Sequence, residues 1–256
     1  MTFNAEIGII GAMDNEVRNI ISNLSDRRTE TVSGIEFNIG RIHGKRIAVA
    51  KCGIGKVFAA ICAQTMILKY SPSLIINTGV GGALDKSLRP LDIVFADKVL
   101  QHDMDTSALG DPVGLISGIN RVYFETDRKA LNILKEAAES MDIKYSIGTV
   151  ATGDKFIAEK TEKDRVGNLF GASACEMEGG AIAQVCYVNK VKYFQIHFTD
   201  NLLWTLPLDC FPEAATKGKS YTKAEIAYLV EYAKEAEVEI IPEYEGIGHS
   251  EFLNTV

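Results

Sequence analysis

Hydrophobic positions along the chain follow two alternating patterns. Short runs of Ile, Val, Phe and Tyr, bounded by Gly, Pro or Asp, fall at residues 7–10, 46–50, 74–77, 93–96, 147–151 and 193–198. Runs of that length and composition predict buried strands. Between them, apolar residues recur at helical spacing: Val17, Ile20, Ile21 and Leu24; Val57, Ala60, Ile61, Ile67, Leu68 and Tyr70; Ala130, Leu131, Leu134, Ala137, Ala138 and Met141; Ile226, Leu229, Val230 and Ala233. Each set predicts an amphipathic helix, and Thr222-Lys223-Ala224-Glu225 before the last set is a capping-box pattern. Residues 201–220 carry no clear period and predict a long loop, either a lid or gate over a site or a simply disordered segment. Strand–helix alternation without a Pro-rich linker or a repeat implies one α/β domain, residues 1–256, on a mostly parallel sheet.

Composition narrows the function classes. The chain has 27 Lys and Arg against 34 Asp and Glu, a formal net charge of −7. That balance argues against partners held by a basic face, nucleic acid and anionic membrane among them. No run approaches the roughly 20 apolar residues of a membrane-spanning helix. The first apolar run is only strand-length and leads into Asp14 and Glu16, unlike a secretory leader. Five widely spaced cysteines with no CxxC pair predict reduced, buried thiols and a cytoplasmic protein, with neither a disulfide framework nor a metal site.

Candidate chemistry is sought just after the strands, because open α/β sheets bind ligands beyond the carboxyl ends of their strands. Four places qualify. Gly11-Ala12-Met13-Asp14-Asn15-Glu16-Val17 is a small-residue turn that starts a helix; its acids serve a ligand or merely complement the helix dipole. Asn77-Thr78-Gly79-Val80-Gly81-Gly82-Ala83-Leu84 reads as a glycine-rich loop through which backbone approaches a ligand. It does not meet GxGxxG, and Gly53-Ile54-Gly55-Lys56-Val57 does not meet the P-loop pattern. Thr152-Gly153-Asp154-Lys155-Phe156-Ile157 places an aromatic after a turn, suited to stacking on a base or to the core. Glu176-Met177-Glu178-Gly179-Gly180 opens another helix with two carboxylates, and Asp200 ends the run 193–198 in a position favoured for a catalytic acid.

Taken in order, these segments resemble the methylthioadenosine/S-adenosylhomocysteine nucleosidases of the nucleoside phosphorylase superfamily. The matching stretches are Ile7-Gly8-Ile9-Ile10-Gly11-Ala12-Met13 with Glu16-Val17, Gly53-Ile54-Gly55-Lys56-Val57, Ile75-Ile76-Asn77-Thr78-Gly79, Asp92-Ile93-Val94, His102-Asp103, Gly153-Asp154, Phe156-Ile157, Glu176-Met177-Glu178 and Ala181-Ile182-Ala183. The resemblance implies a three-layer α/β domain with a central mixed, mostly parallel sheet flanked by helices. It implies hydrolysis of the N-ribosidic bond of an adenine nucleoside, without metal or organic cofactor. By the same resemblance Glu16 activates the attacking water and Asp200 protonates the leaving base toward N7. Glu178 receives the ribose hydroxyls, Glu176 supports it, and Met13 and Met177 line the ribose. Phe156 stacks on adenine while the Ile157 backbone reads its edge, and Val80 and Gly81 border the substrate. A homodimer is implied, with residues 102–110 reaching across the interface; Leu109 stands where relatives usually carry an aromatic.

One departure concerns the reaction itself. Relatives usually carry an Arg four residues before the catalytic Asp; here that position is Ile196, with His197 beside it, and the spacing from Glu178 to Asp200 is one residue short. His197 either substitutes for the Arg as a ligand of the water or is a satisfied buried histidine. Two other functions stay open from sequence: a phosphate-dependent phosphorylase, disfavoured because neither the 11–17 turn nor the 77–84 stretch holds Arg or Lys, and a non-catalytic nucleoside binder on the same fold.

Overall fold

The computed structural model describes residues 3–89 and 92–200, with Asp200 described in its backbone alone. The predicted 201–220 loop and the helix around Ile226 lie outside the described residues.

The first predicted strand is β1 (Ile7–Gly11), followed by α1 (Asp14–Ser22). Two strands that periodicity did not announce come next, β2 (Ser25–Val32) and β3 (Ile35–Ile42), joined at Ser33-Gly34 with both residues at positive φ. β4 (Lys45–Lys51), α2 (Lys56–Tyr70) and β5 (Leu74–Ala83) complete the first half. The second half runs β6 (Ile93–Gln101), β7 (Phe124–Glu125), α3 (Arg128–Ser140), β8 (Tyr145–Thr152), α4 (Lys160–Phe170), β9 (Ala172–Glu176), α5 (Gly179–Asn189) and β10 (Lys192–Asp200).

All ten strands join one sheet in the order β10-β6-β8-β9-β5-β1-β4-β3-β2, with β7 on β6. Parallel ladders link β4, β1, β5 and β10, and separately β6, β8 and β9; antiparallel ladders join the two groups and add β3 and β2. Because β10 pairs with both β5 and β6, strands β5, β9, β8, β6 and β10 close into a ring. The expectation of an open sheet is corrected here: half the sheet is a small closed barrel, and β1, β4, β3 and β2 extend from it.

A second correction concerns residues 77–84. The glycine-rich stretch is no loop: β5 runs on to Ala83. Its glycines remove side chains that the strand's neighbours displace, as the site below makes plain.

The core follows from the helix faces. In α2 the buried side is Ala59, Cys62, Ala63, Met66 and Tyr70, and it packs with Ala181, Ile182 and Cys186 of α5 and with Ile10 and Ile75 of the sheet. Small residues on both helices let them lie close, so the wider side chains of the sheet fill the remaining space. On the opposite face Phe95, Phe194, Leu131, Leu134 and Ile196 form a second cluster under α3. Cys52, Cys62, Cys175 and Cys186 are free and buried. Among the described residues no helix is long and apolar enough to cross a membrane, and no group of His, Cys, Asp and Glu has the geometry to hold a metal ion.

Candidate active site

The turn after β1 builds the first corner. Glu16 sits three residues into the helix that Met13 caps, so its carboxylate folds back onto the turn: Oε2 accepts from the Ala12 N–H at 2.6 Å and the Met13 N–H at 2.9 Å. This satisfies donors that a helix start leaves open. Oε1 reaches further and accepts from the Val80 N–H of β5 at 3.0 Å. Oε2 is thus saturated, whereas Oε1 retains one lone pair. That oxygen faces Gly79: a Cβ there would lie 2.6 Å from Glu16 Oε1 and 3.2 Å from His197 Nε2. Gly79 is therefore required by the approach of two polar side chains to one point of β5.

The second corner is the start of α5. Glu176 Oε2 accepts from the N–H groups of Glu178 and Gly179 at 2.8 and 2.7 Å, and Oε1 accepts from the Thr152 hydroxyl. Thr152 Oγ1 in turn accepts from the Gly180 N–H at 2.6 Å. A buried carboxylate at a helix N-terminus, met by these three donors and by the Gln195 side chain, anchors that helix. Burial nevertheless pushes the Glu176 carboxyl up from the ordinary carboxylate range.

Glu178 is the least satisfied of the three acids. Its Oε1 accepts from the Gly55 N–H at 2.6 Å. Burial first, then the charges of Glu176 and Glu16, push it up to about 8. Glu178 lies among other acids with too few compensating charges to ionise freely.

Gly55 is held in turn. It takes φ +100°, a conformation that favours glycine. The next residue is clamped twice: the Lys56 N–H donates to Asp154 Oδ1 at 2.8 Å, and Lys56 Nζ meets Asp103 Oδ1 at 2.6 Å. Asp103 Oδ2 also accepts from the Asp154 N–H at 2.8 Å. The Gly53–Lys56 segment, which fails as a P-loop, is thus a brace that aims one N–H at Glu178.

The third corner is β10. Ile196 packs under α3 with Phe95 and Phe194, so the position four before Asp200 faces the hydrophobic layer. His197, on the other face, is buried and lies against Gly79 and Gly81. The short spacing thus delivers His197, not Ile196, to the carboxylates. Its Nε2 is 3.8 Å from Glu176 Oε2, longer than a direct hydrogen bond. Burial pushes the imidazole down to about 4, against the pull of Glu16, so at neutral pH the pair is not an ion pair.

Glu16, Val80, Gly81, Glu176, Glu178 and His197 therefore converge, and Met13 contributes its N–H to the Glu16 carboxylate. Met177 adjoins them as a half-buried residue between the two glutamates. Phe156 is 52% exposed beside the Asp154 brace, while the Ile157 side chain is buried with Leu100, Val166 and Phe170. Asp200 pairs in the ladder with Gly82, at the end of the strand that carries His197. Sequence reading quoted Thr152, Gly55 and Gly79 within its candidate stretches without giving them a role of their own, and passed over Gln195 and Tyr193. The alternation Tyr193, Gln195, His197, Thr199, polar at every second position of an otherwise apolar strand, was the available signal for two of them.

The chain is similar to known proteins along most of its length. Residues 6–226 match the family described as Phosphorylase superfamily. A 5'-methylthioadenosine/S-adenosylhomocysteine nucleosidase of Shewanella loihica is 39% identical over 207 residues, 80% of this chain and 90% of that protein. An aminodeoxyfutalosine nucleosidase of Campylobacter jejuni is 34% identical, over 74% of this chain and 82% of that protein. Among solved structures, a Helicobacter pylori nucleosidase mutant with 5'-methylthioadenosine in its active site superposes with a TM-score of 0.74 at 33% identity, covering 77% of this chain and 85% of that one. With the match extending from β1 through β10, the chain belongs to the phosphorylase superfamily.

Proposed function

We propose that the protein hydrolyses the N-ribosidic bond of an adenine nucleoside bearing a 5′ substituent, with 5'-methylthioadenosine and S-adenosylhomocysteine as leading substrates. The observation that carries this reading is the convergence of Glu16, Glu176 and Glu178, with the ammonium of Lys56, next to the Gly55 that contacts Glu178, tied to Asp103. Such a site favours the positive charge that develops on ribose as the bond to the base breaks.

In this reading water attacks C1′ and passes a proton to Glu16 Oε1, whose spare lone pair faces Gly79. The C1′–N9 bond breaks as the base gains a proton at N7, the role the resemblance gives to Asp200, so adenine leaves neutral. Glu178 accepts from the ribose hydroxyls and faces the cationic sugar. Met13 and Met177 flank the ribose, Phe156 covers the base, and the Ile157 backbone meets its edge. Phosphorolysis fits less well, because a phosphate dianion placed among three carboxylates meets repulsion, and anion sites of this kind use arginine.

A second copy of the chain completes the reading. Ile54, Val57, Phe58, Ile61 and Leu68 line one exposed side of α2 and the turn before it, an apolar stripe suited to a homodimer. Leu109, 84% exposed, would approach the 5′ substituent in the partner's site. Free buried thiols and the acidic composition fit a cytoplasmic protein.

The test is release of free base, followed by chromatography, from methylthioadenosine, S-adenosylhomocysteine, aminodeoxyfutalosine, adenosine and inosine, with and without phosphate. Adenine from the 5′-substituted nucleosides without phosphate is the expected result. Release that requires phosphate overturns the hydrolytic reading.

A further inference from the structure

His197 is tied into a buried polar chain that the hydrolytic mechanism has not yet used. The Tyr193 hydroxyl donates to Gln195 Oε1 at 2.7 Å, and Gln195 Nε2 lies 3.1 Å from His197 Nδ1. All three residues are buried in β10. The amide is tightly confined: a Cβ on Gly179 would lie 2.2 Å from Gln195 Oε1. Which ring nitrogen carries the proton follows from the orientation of that amide.

Two neighbours fix it. Gln195 also hydrogen-bonds the Glu176 carboxylate, and a carboxylate facing N–H and O–H donors accepts only, so the amide nitrogen must be the end turned toward it. The oxygen end is then left for the Tyr193 hydroxyl, as observed. The remaining amide hydrogen points at His197 Nδ1, which must accept it. A neutral imidazole that accepts at Nδ1 carries its proton on Nε2, and Nε2 is the atom that faces Gly79 beside Glu16 Oε1.

Resting on the nucleosidase reading, we propose that His197 is the neutral donor that orients the attacking water against Glu16, and that Tyr193 and Gln195 are positioning residues that hold its proton on Nε2. The water then donates one proton to Glu16 Oε1 and accepts from His197 Nε2–H. Its remaining lone pair is directed at C1′. His197 neither gains nor loses a proton in the step: the proton released by water goes to Glu16. The charged and titratable groups around the imidazole are Glu16 from α1, Glu176 from β9, Glu178 at the start of α5 and Tyr193 on its own strand; β5 presents Gly79 and Gly81. Burial holds the ring neutral among them.

Two measurements on the full chain test this. Imidazole ¹⁵N spectra of histidine-labelled protein at pH 7, with the signals of His197 identified by their loss in His197→Gln, report the protonated nitrogen directly. The expected pattern is a neutral ring protonated at Nε2, and Gln195→Leu is expected to abolish that single-tautomer pattern. A ring protonated at Nδ1, or an imidazolium, overturns the proposal.

Steady-state adenine release supplies the second readout. His197→Leu and Gln195→Leu are expected to lower kcat about 10²-fold, the scale of a misplaced reactant. KM should change less than about threefold, since the ring touches water and not the nucleoside. His197→Gln, which returns an N–H near the Nε2 position, is expected to recover most of the lost kcat. Unchanged kcat in folded His197→Leu overturns the role, as does a loss confined to KM. Should His197→Leu fail to fold, the glutamine variant and the spectra still decide. If the wild-type protein releases no base from any nucleoside, the nucleosidase reading falls, and the spectra alone then judge the placement of the proton.

Discussion

Glu16 and Glu176 begin from the same local physics and end in different roles. Each is a carboxylate folded onto the open N–H groups of a helix start, Glu16 at α1 and Glu176 at α5. Glu176 then spends its second oxygen on Thr152, meets the Gln195 side chain as a fourth donor, and is buried. Glu16 spends one acceptor position on Val80 across the sheet and keeps a lone pair facing Gly79. A carboxylate that saturates its acceptors becomes scaffold; one that leaves a position open toward a cleft can take a proton. Capping and catalysis are therefore not rival explanations of an acid at a helix start, and the hydrogen-bond count separates them.

The sharpest way to break the comparison is to neutralise each acid in turn. Glu16→Gln is expected to lower kcat for adenine release by roughly 10³-fold, within the range for loss of a general base, while thermal unfolding stays nearly unchanged. Comparable turnover in the variant would reduce Glu16 to a cap. Next in size is Gly79→Ala, which puts a methyl against Glu16 Oε1 and His197 Nε2. A rate loss of about 10²-fold with Val80 pairing retained would locate the reacting water at that point, and an active variant would move it elsewhere.

Glu176→Gln should show the opposite balance. Replacing a saturated buried acceptor with an amide leaves a donor facing donors, a cost of about 1–3 kcal/mol in urea unfolding, with a smaller kcat loss than Glu16→Gln. The gentlest effect is a slope with pH. Glu178 sits at about 8 in the folded protein against 4.5 for an ordinary glutamate. A raised carboxyl means the folded state holds a proton that the unfolded state releases, so stability falls as pH climbs from about 4.5 to 8. Glu178→Gln removes that slope, and urea titrations at pH 5 and pH 8 should show the variant gaining on the wild type at the higher pH. A constant difference would mean that Glu178 is ionised in the folded protein.

Most of the strands and helices that support the site were legible because apolar period reports burial. β2 escaped because Ser25, Asp26, Arg27, Arg28, Thr29 and Glu30 present a polar, largely exposed edge with no period to read. β5 was cut short because glycine signals a turn when its neighbours are unknown; in the folded chain the same residues yield space to Glu16 and His197. Glu16, Glu176 and Glu178 were readable from their places after strands. The choice between Ile196 and His197 was not, since it depends on which face of β10 meets β5, a fact of pairing between distant segments.

Closure of the barrel also has a consequence in time. The Gly55–Glu178 contact spans 123 residues, and His197 reaches Gly79 only when β10 docks between β5 and β6. Contacts this remote along the chain form late, after local helices and the β2–β3–β4 meander. The cluster of Glu16, Glu178 and His197 is then the last described region to assemble, and chains that end before β10 carry the acids without His197 beside them. On refolding from denaturant, recovery of adenine release should trail the return of helical circular dichroism, so that activity reports a completed fold and no earlier state.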